Sequence, residues 1–443
     1  MGWLGPSHYW EIHMRLVSTR IAAGLCGGLV LGMSVPASAA VDAKLLEMLK
    51  ANGSISASQY AELQTELTSE KQAQQEAAAQ QVKKSDLSAF EQKVAWAAKT
   101  EFKGDVRVRH ETVKIDGESD GKNRDRQRIR ARLGAFTEIN PQVNTGIRIA
   151  TGSSDDARST NQDLDNYFDK KQLWLDMAYV DYHPTAIKNL HLVGGKMPQQ
   201  WVNMGDVIWD SDINPEGVSA SYKTNLGSSG VEMFGSTGYY TLKDNVNGDG
   251  VQFKNDLSMY AGQLGARFTP TDSLKVTLGG SVYGFKNDED SRCPTTGTKT
   301  TPCALAVNGN STSEFRLWEG FGQVDIANLP LPLSLYGQYV HNSETDSDQD
   351  DAWLVGFKSK LNAFSLDYNY RDVQRNAVVG AFTDSDFANG TTGSRGHKVK
   401  LGYEIDKNFG VGVTYFLTKA DYATSTQKDA KVNTLQLDVE AKF

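Results

Sequence analysis

From Ala40 onward, the sequence contains no apolar run as long as the roughly 20 residues that a membrane-spanning helix needs. This absence excludes a helical membrane protein. The chain has only 3 cysteines and 11 prolines, against 41 glycines, and such a balance suits strands that are joined by turns. A membrane barrel stays compatible with these absences, because its signal is spread over short alternating segments.

Catalytic motifs are also missing. The sequence has no H-E-x-x-H, G-x-S-x-G, P-loop or C-x-x-C motif. The histidines beyond residue 40 are scattered: His110, His183, His191, His341 and His397. The sequence therefore predicts no enzyme, no cofactor and no metal centre. A formal net charge of −8 argues against nucleic acid as a partner.

Residues 433–443 alternate between apolar and polar side chains up to the end of the chain. Leu435, Leu437, Val439, Ala441 and Phe443 fall on one face of a strand, and the residues between them are mostly charged or polar. A period of two places successive side chains on opposite faces of a strand. In an outer-membrane barrel, the apolar face contacts lipid and the polar face lines the lumen.

The same period recurs through residues 101–443, and it predicts an all-β transmembrane fold: an antiparallel outer-membrane β-barrel of about 16 strands. Fourteen or eighteen strands remain open, because the faces of the segments around Trp174, Val231 and Trp318 are ambiguous. Short connections alternate with long polar ones, as in bacterial barrels. A soluble β-sandwich is disfavoured, because it would have to bury charges such as Arg128, Asp367 and Lys400.

The chain begins with two segments of different character. Residues 1–39 predict a signal peptide: Arg15 and Arg20 precede an apolar stretch, and cleavage is expected after Ala39. An uncleaved anchor is the alternative, and Met14 is a second candidate for the start. Residues 40–100, rich in Ala, Gln, Glu and Lys, predict a periplasmic helical or coiled-coil segment, with Ser56 or Ser58 as a helix cap.

Cys293 and Cys303 lie in a stretch rich in Thr, Gly, Pro and Asn. In an exported protein, such a pair predicts a disulfide bond that closes a long loop. Metal binding is the weaker alternative, since neither a histidine nor a third cysteine is near.

A ladder of arginines is the first candidate functional feature. Five arginines stand at every second position, so that a strand projects them from one face about 7 Å apart. Arg107 and Arg109 are expected on the adjoining strand and Arg148 on the next. The predicted pore-lining residues are Arg107, Arg109, Arg124, Arg126, Arg128, Arg130, Arg132 and Arg148. A solvated strand face is the alternative to a charged track that sets the selectivity of a pore.

Residues 197–222 lack alternation and form the second candidate feature. A loop of this length is usually functional or disordered, and its tryptophans argue against disorder. We expect it to fold into the lumen and to set acidic groups against the arginines; a loop packed on the barrel rim is the alternative. The predicted constriction residues are Trp201, Asp206, Trp209, Asp210, Asp212 and Glu216.

These features together resemble a known family. The chain combines a signal segment, a leucine-rich helix from Leu45 to Gly53, a polar helical stretch, and strands that contain Gly195-Lys196-Met197 and the run from Trp209 to Gly217. It resembles the putative porin family of Gram-negative bacteria. The resemblance implies an outer-membrane location, with lipid and lipopolysaccharide as surroundings. It also implies diffusion of small hydrophilic solutes and a homotrimer.

The sequence therefore predicts a passive diffusion channel for small hydrophilic solutes, anions among them, that selects by size and charge. The alternative is a non-conducting barrel that acts as an adhesin or an envelope anchor. Calcium is a further option, because Asn245, Asn247, Asp249 and Asp256 loosely follow a calcium-loop spacing, and a second acidic cluster spans residues 346–351. Solvated outer loops explain both clusters more simply.

Overall fold

In a computed structural model, the described residues are 43–80, 94, 97–116, 123–154, 156–227, 230–243, 256–288, 307–421 and 429–443. The predicted signal peptide, the predicted disulfide between Cys293 and Cys303, and the calcium-loop residues at 245–249 lie outside them. The chain divides into two compact units, one that ends at Ala98 and one that runs from Lys99 to Phe443. Two α-helices within the described residues lie in the first unit, and the strands lie in the second.

Within residues 43–80, the N-terminal unit forms two helices, α1 (Ala43–Ala51) and α2 (Ala57–Gln80). Gly53, with a φ of +76°, ends the first, because glycine adopts the left-handed conformation without steric cost. Ser56 begins the second: its Oγ accepts from the backbone N of Gln59 at 3.2 Å, and Gln59 Oε1 accepts from the N of Ser56 at 3.0 Å. This reciprocal pair is a capping box. In the described part of the chain, no helix is long and apolar enough to cross a membrane.

The second unit is a closed antiparallel β-barrel. Its strands are β1 (Thr100–Ile115), β2 (Arg124–Asn140), β3 (Val143–Thr151), β4 (Gln162–Asp163), β5 (Leu173–Tyr182), β6 (Leu190–Lys196), β7 (Glu216–Asn225), β8 (Val231–Lys243), β9 (Leu257–Thr271), β10 (Leu274–Lys286), β11 (Arg316–Ile326), β12 (Leu333–Asn342), β13 (Asp351–Leu361), β14 (Phe364–Val373), β15 (Ser394–Glu404), β16 (Phe409–Ala420) and β17 (Ala430–Lys442). Sixteen of these form the wall, and the two-residue β4 pairs with β2. The predicted strand number is confirmed.

The barrel closes because β1 pairs with both β2 and β17. Phe443 extends the closing ladder, since its N and O exchange hydrogen bonds of 3.0 Å with the O and N of Gly104. A Cβ at Gly104 would lie 2.4 Å from the Phe443 ring. The terminal aromatic therefore packs over a glycine at the point where the first and last strands meet.

Connections differ sharply in length between the two ends of the barrel. At one end the strands are joined by tight turns, such as Asn362-Ala363, where Asn362 takes a φ of +52° that asparagine tolerates. At the other end lie long segments, three of which fold inward.

Outward aromatics gather near both ends: Phe102, Tyr182, Tyr222, Phe268, Phe364, Tyr403, Phe409 and Phe443 at the short-turn end, and Trp174, Tyr239, Tyr260, Trp318, Tyr339 and Trp353 at the other. Such girdles mark the two membrane interfaces.

Candidate functional site

The arginines of β1 and β2 form one surface on the inner face of the barrel. The strand register places Arg107 directly opposite Arg130, and Arg109 directly opposite Arg128. Arg148 of β3 lies on the other side of β2, opposite Gly134. Alternation sends the apolar neighbours outward, so Val106 and Val108 are exposed on the outer face. Arg124 is exposed at the start of β2.

Carboxylates from the neighbouring strands accompany these arginines. Asp438 of β17 accepts from Nε and Nη2 of Arg109 at 2.7 and 3.0 Å. Arg130 contacts Asp105 at 2.8 Å and Glu440 at 2.5 Å. Guanidinium groups so close together repel one another, and charges withdrawn from water need paired partners. The arginine surface is thus a mixed-charge network.

Three inward-folded segments supply further carboxylates to the same surface. Asp163 of β4 contacts Arg128 at 2.8 Å and Arg126 at 3.0 Å. Asp212, between β6 and β7, lies 3.5 Å from Arg132. Asp386, between β14 and β15, lies 3.2 Å from Arg109. Each segment is therefore attached to the arginines by its own carboxylate.

The segment between β6 and β7 crosses the interior of the barrel. Trp201 and Trp209 pack against each other with ring centroids 5.0 Å apart, and both contact the Tyr283 ring. The N and O of Val202 bond to the side-chain amide of Gln263 on β9. Burial of aromatic side chains of this size fixes a loop firmly. These contacts attach the segment to side chains of β9 and β10.

The acidic residues of this segment do not act alike. Only Asp212 contacts an arginine, and it also accepts from the N and Oγ1 of Thr160 at 3.1 and 2.9 Å. Asp210 accepts from the N of Ser385 at 2.9 Å. Asp206 lies 3.4 Å from the Asn203 amide, and Glu216 is exposed on β7. Of the four acidic residues predicted in this segment, Asp212 is the one that lies beside an arginine. Sequence distance does not reveal which side chain a folded loop turns toward a given strand.

The two neighbouring aspartates differ in their ionisation. Burial raises the pKa of the Asp210 carboxyl well above its usual range, and the Asp212 and Asp384 carboxylates act in the same direction. Burial also opposes ionisation of Asp212, but the guanidinium groups of Arg132 and Arg130 hold its pKa below the usual range. Of these two aspartates, Asp212 is the one whose ionised form the arginines stabilise.

Sequence reasoning missed a second basic region on β13 to β15. Lys358, Arg371, Lys398 and Lys400 point inward there, beside Asp367 and Asp384. Arg371 contacts Asp384 at 2.9 Å, and Lys398 lies 3.9 Å from the same carboxylate. The alternation of Lys398 and Lys400 with apolar residues was visible in the sequence. This alternation predicts that both lysines face inward. Only the closure of the barrel shows that they share the interior with the arginines of β1 and β2.

An apolar outer face, two aromatic girdles and a charged inner face define an outer-membrane channel protein. The family model described as "Putative porin" matches residues 118–318 and 357–443, well over half of the chain, and the protein belongs to this family. It is an outer-membrane porin of a Gram-negative bacterium, and family and fold indicate a channel rather than an enzyme.

Similar proteins include one curated sequence and several solved structures. "Phosphate starvation-inducible protein 1" of Pseudomonas fluorescens is 69% identical over 36 residues, which are 8% of this chain and 92% of that protein. OprB of Pseudomonas putida is 13% identical, with a TM-score of 0.49 over 81% of this chain and 97% of its own. A mutant Rhodopseudomonas blastica porin is 10% identical, with a TM-score of 0.42 over 78% of this chain and all of its own.

Proposed function

We propose that this porin is a passive diffusion channel that favours small hydrophilic anions and selects them by size and lumen charge. The observation that carries the proposal is the charge balance of β13 to β15. Four basic groups (Lys358, Arg371, Lys398 and Lys400) and one carboxylate (Asp367) point inward in the middle of these strands. Asp384, in the segment between β14 and β15, adds a second carboxylate beside Arg371 and Lys398. Closely spaced charges in a pore set its selectivity.

Each carboxylate of this region faces two of its basic groups, so the positive charges outnumber the negative ones. Lys358 and Lys400 lie directly opposite Asp367 on either side of it. Asp367 accepts a hydrogen bond of 2.7 Å from the hydroxyl of Tyr336. On the adjacent β16, Thr414 lies directly opposite Lys400, and the next inward positions toward the short-turn end, Gly412 and Gly410, carry no side chain.

Size selection is proposed to come from the inward segments. The segments that carry Asp163, Asp212 and Asp386 occupy part of the interior and are attached to the arginines of β1 and β2. A narrowed lumen restricts passage to small solutes, and liposome swelling with sugars, amino acids and organic anions of graded size measures that limit. Loss of swelling only above a threshold size supports the proposal.

Inorganic phosphate is the first anion to test. The choice is suggested by the name of the Pseudomonas fluorescens relative, which refers to phosphate starvation. Arginine and lysine both bind phosphate groups well. Phosphate added to a chloride solution should reduce the chloride current if it occupies the basic region, whereas an equal concentration of sucrose should not.

The decisive experiment is the reversal potential of single channels in a planar bilayer under a salt gradient. Wild type should favour anions, and the Lys358→Ala/Lys400→Ala double variant should favour them less. Lys407→Ala is the matched control, because Lys407 is exposed in the β15–β16 turn. A cation-selective wild type contradicts the proposal, and an absence of conductance favours the adhesin or envelope anchor.

The homotrimer, the lipopolysaccharide contacts, the pore-lining roles of the arginines and the periplasmic place of residues 40–100 stay proposals. Chemical cross-linking of the protein in native outer membranes tests the trimer directly. Cross-linked gel bands that reach the mass of three chains and go no higher support a trimer.

A further inference from the structure

Two histidines and one aspartate meet at the short-turn end of the barrel. Asp181 of β5 is paired with Val193 of β6, and the same register, continued past the ladder, sets His183 opposite His191. Alternation turns Asp181 to the inner face along with Met177, and His191 along with Val193. The atoms of the three side chains that could bind a metal all lie within 4.8 Å of one another.

One carboxylate oxygen is shared between the two imidazoles. Oδ2 of Asp181 lies 2.9 Å from Nδ1 of His191 and 3.9 Å from Nδ1 of His183. The two rings are 5.6 Å apart between centroids, at an angle of 32°. Both histidines thus present the same type of nitrogen toward one carboxylate.

The nitrogen of His183 is unsatisfied. Its Nδ1 is buried and forms no hydrogen bond with any described residue, although 3.9 Å separates it from the nearest Asp181 oxygen. A buried polar atom without a partner costs about 1–3 kcal/mol. A ligand held between His183, His191 and Asp181 would remove that cost.

We propose that Asp181, His183 and His191 bind a divalent transition-metal ion of the Zn²⁺ class. Imidazole nitrogen and carboxylate oxygen are the ligands that such ions prefer, whereas Ca²⁺ and Mg²⁺ prefer oxygen alone. In a tetrahedral zinc site, ligand atoms are separated by about 3.3 Å, given bonds of about 2.0–2.1 Å. The separations of 2.9 Å and 3.9 Å from the Asp181 oxygen to the two imidazole nitrogens lie on either side of this value. Three protein ligands leave the fourth position for water or an anion.

A second group of the same composition provides a comparison. His341, Asp350 and Asp351 also bring their atoms within 4.8 Å. There, however, Nδ1 of His341 is already hydrogen-bonded to Asp351 at 3.0 Å, and the Tyr339 hydroxyl donates to the same carboxylate at 2.6 Å. Among the described residues, no nitrogen of this group is both buried and without a hydrogen bond, so it serves as the matched control.

The site lies on the inner face of the barrel, so that a bound ion would add positive charge to one mouth of the lumen. The neighbouring strands present Asn144, opposite Asp181, and Ser221, opposite His191. Both are uncharged, so the dication would dominate the local potential. The added positive charge would attract anions to this mouth of the lumen. The metal binding itself does not depend on the proposed anion selectivity.

The test is a Zn²⁺ titration of the full-length protein in detergent, without a histidine tag and after treatment with EDTA, followed by calorimetry. Wild type should bind one Zn²⁺ per chain at this site. His183→Ala and Asp181→Asn should each raise the Kd for Zn²⁺ by more than about tenfold, and His341→Ala should leave this Kd unchanged. An excess of Mg²⁺ should not compete.

Two results would overturn the proposal: a wild type that takes up no Zn²⁺ in a saturable way, or an equal Kd in wild type and in His183→Ala. Competition by Mg²⁺ would overturn the assignment of the ion class. The heat-modified shift on gels reports whether each variant forms the barrel. Asp181→Asn, which keeps the shape of the side chain, decides the matter if His183→Ala does not fold.

Discussion

Arg109 of β1 and Arg128 of β2 lie directly opposite each other, and the carboxylate of Glu111 is within 3.7 Å of the first and 3.5 Å of the second. Arg126 contacts the same carboxylate. Like charges that face each other destabilise a sheet. Glu111 therefore offsets the repulsion among three arginines, and the side chain is almost fully buried.

Glu111→Gln should destabilise the barrel by about 3 kcal/mol, because it leaves buried guanidinium groups with one carboxylate fewer. Urea unfolding of the protein in phospholipid vesicles measures this change. Glu404→Gln is the control, since Glu404 forms an exposed pair with Lys360 and should cost less than about 1 kcal/mol. Equal losses in both variants would show that Glu111 has no special role.

Replacement of Arg128 and Arg130 by alanine should shift the reversal potential toward cations. The change removes two positive charges and leaves Asp163, Asp105 and Glu440 with fewer partners, so that the local potential becomes negative. Planar-bilayer recordings under a salt gradient measure the shift. An unchanged reversal potential would remove these arginines from the selectivity mechanism and leave them a structural role.

Asp212→Asn should loosen the segment between β6 and β7. The asparagine oxygen can still accept from Thr160, but the charge that attracts Arg132 is lost. Larger fluctuations of the open-channel current are expected in single-channel recordings. Glu216→Gln, at the exposed end of the same segment, should not change them; noise that is equal in Asp212→Asn and wild type would argue against an attachment through Arg132.

Trp209→Ala should cost about 3–5 kcal/mol, because it removes a buried aromatic side chain and leaves a cavity beside Trp201 and Tyr283. Trp318→Ala is the matched control, since Trp318 is 52% exposed on the outer face. Urea unfolding in vesicles compares the two variants. A smaller loss in Trp209→Ala than in Trp318→Ala would mean that the inward packing is unimportant for stability.

The histidine cluster shows how far sequence reasoning reaches at a site. Asp181, His183 and His191 were visible, but they appeared scattered, because eight positions separate the two histidines. Only the register of β5 and β6 sets His183 opposite His191. The arginine ladder was easier to find, since its members follow one another along a single strand.

The sequence by itself determined the barrel, because the period of two is a local pattern. The apolar face of each strand can be read directly from that pattern. The sequence also determined the adjoining position of Arg107 and Arg109, because β1 and β2 are consecutive. Only the tertiary structure decided which carboxylates meet the arginines. Asp386 and Asp438 reach Arg109 through an inward segment and the closure of β17 onto β1, and such contacts between distant parts of the chain leave no periodic trace in the sequence.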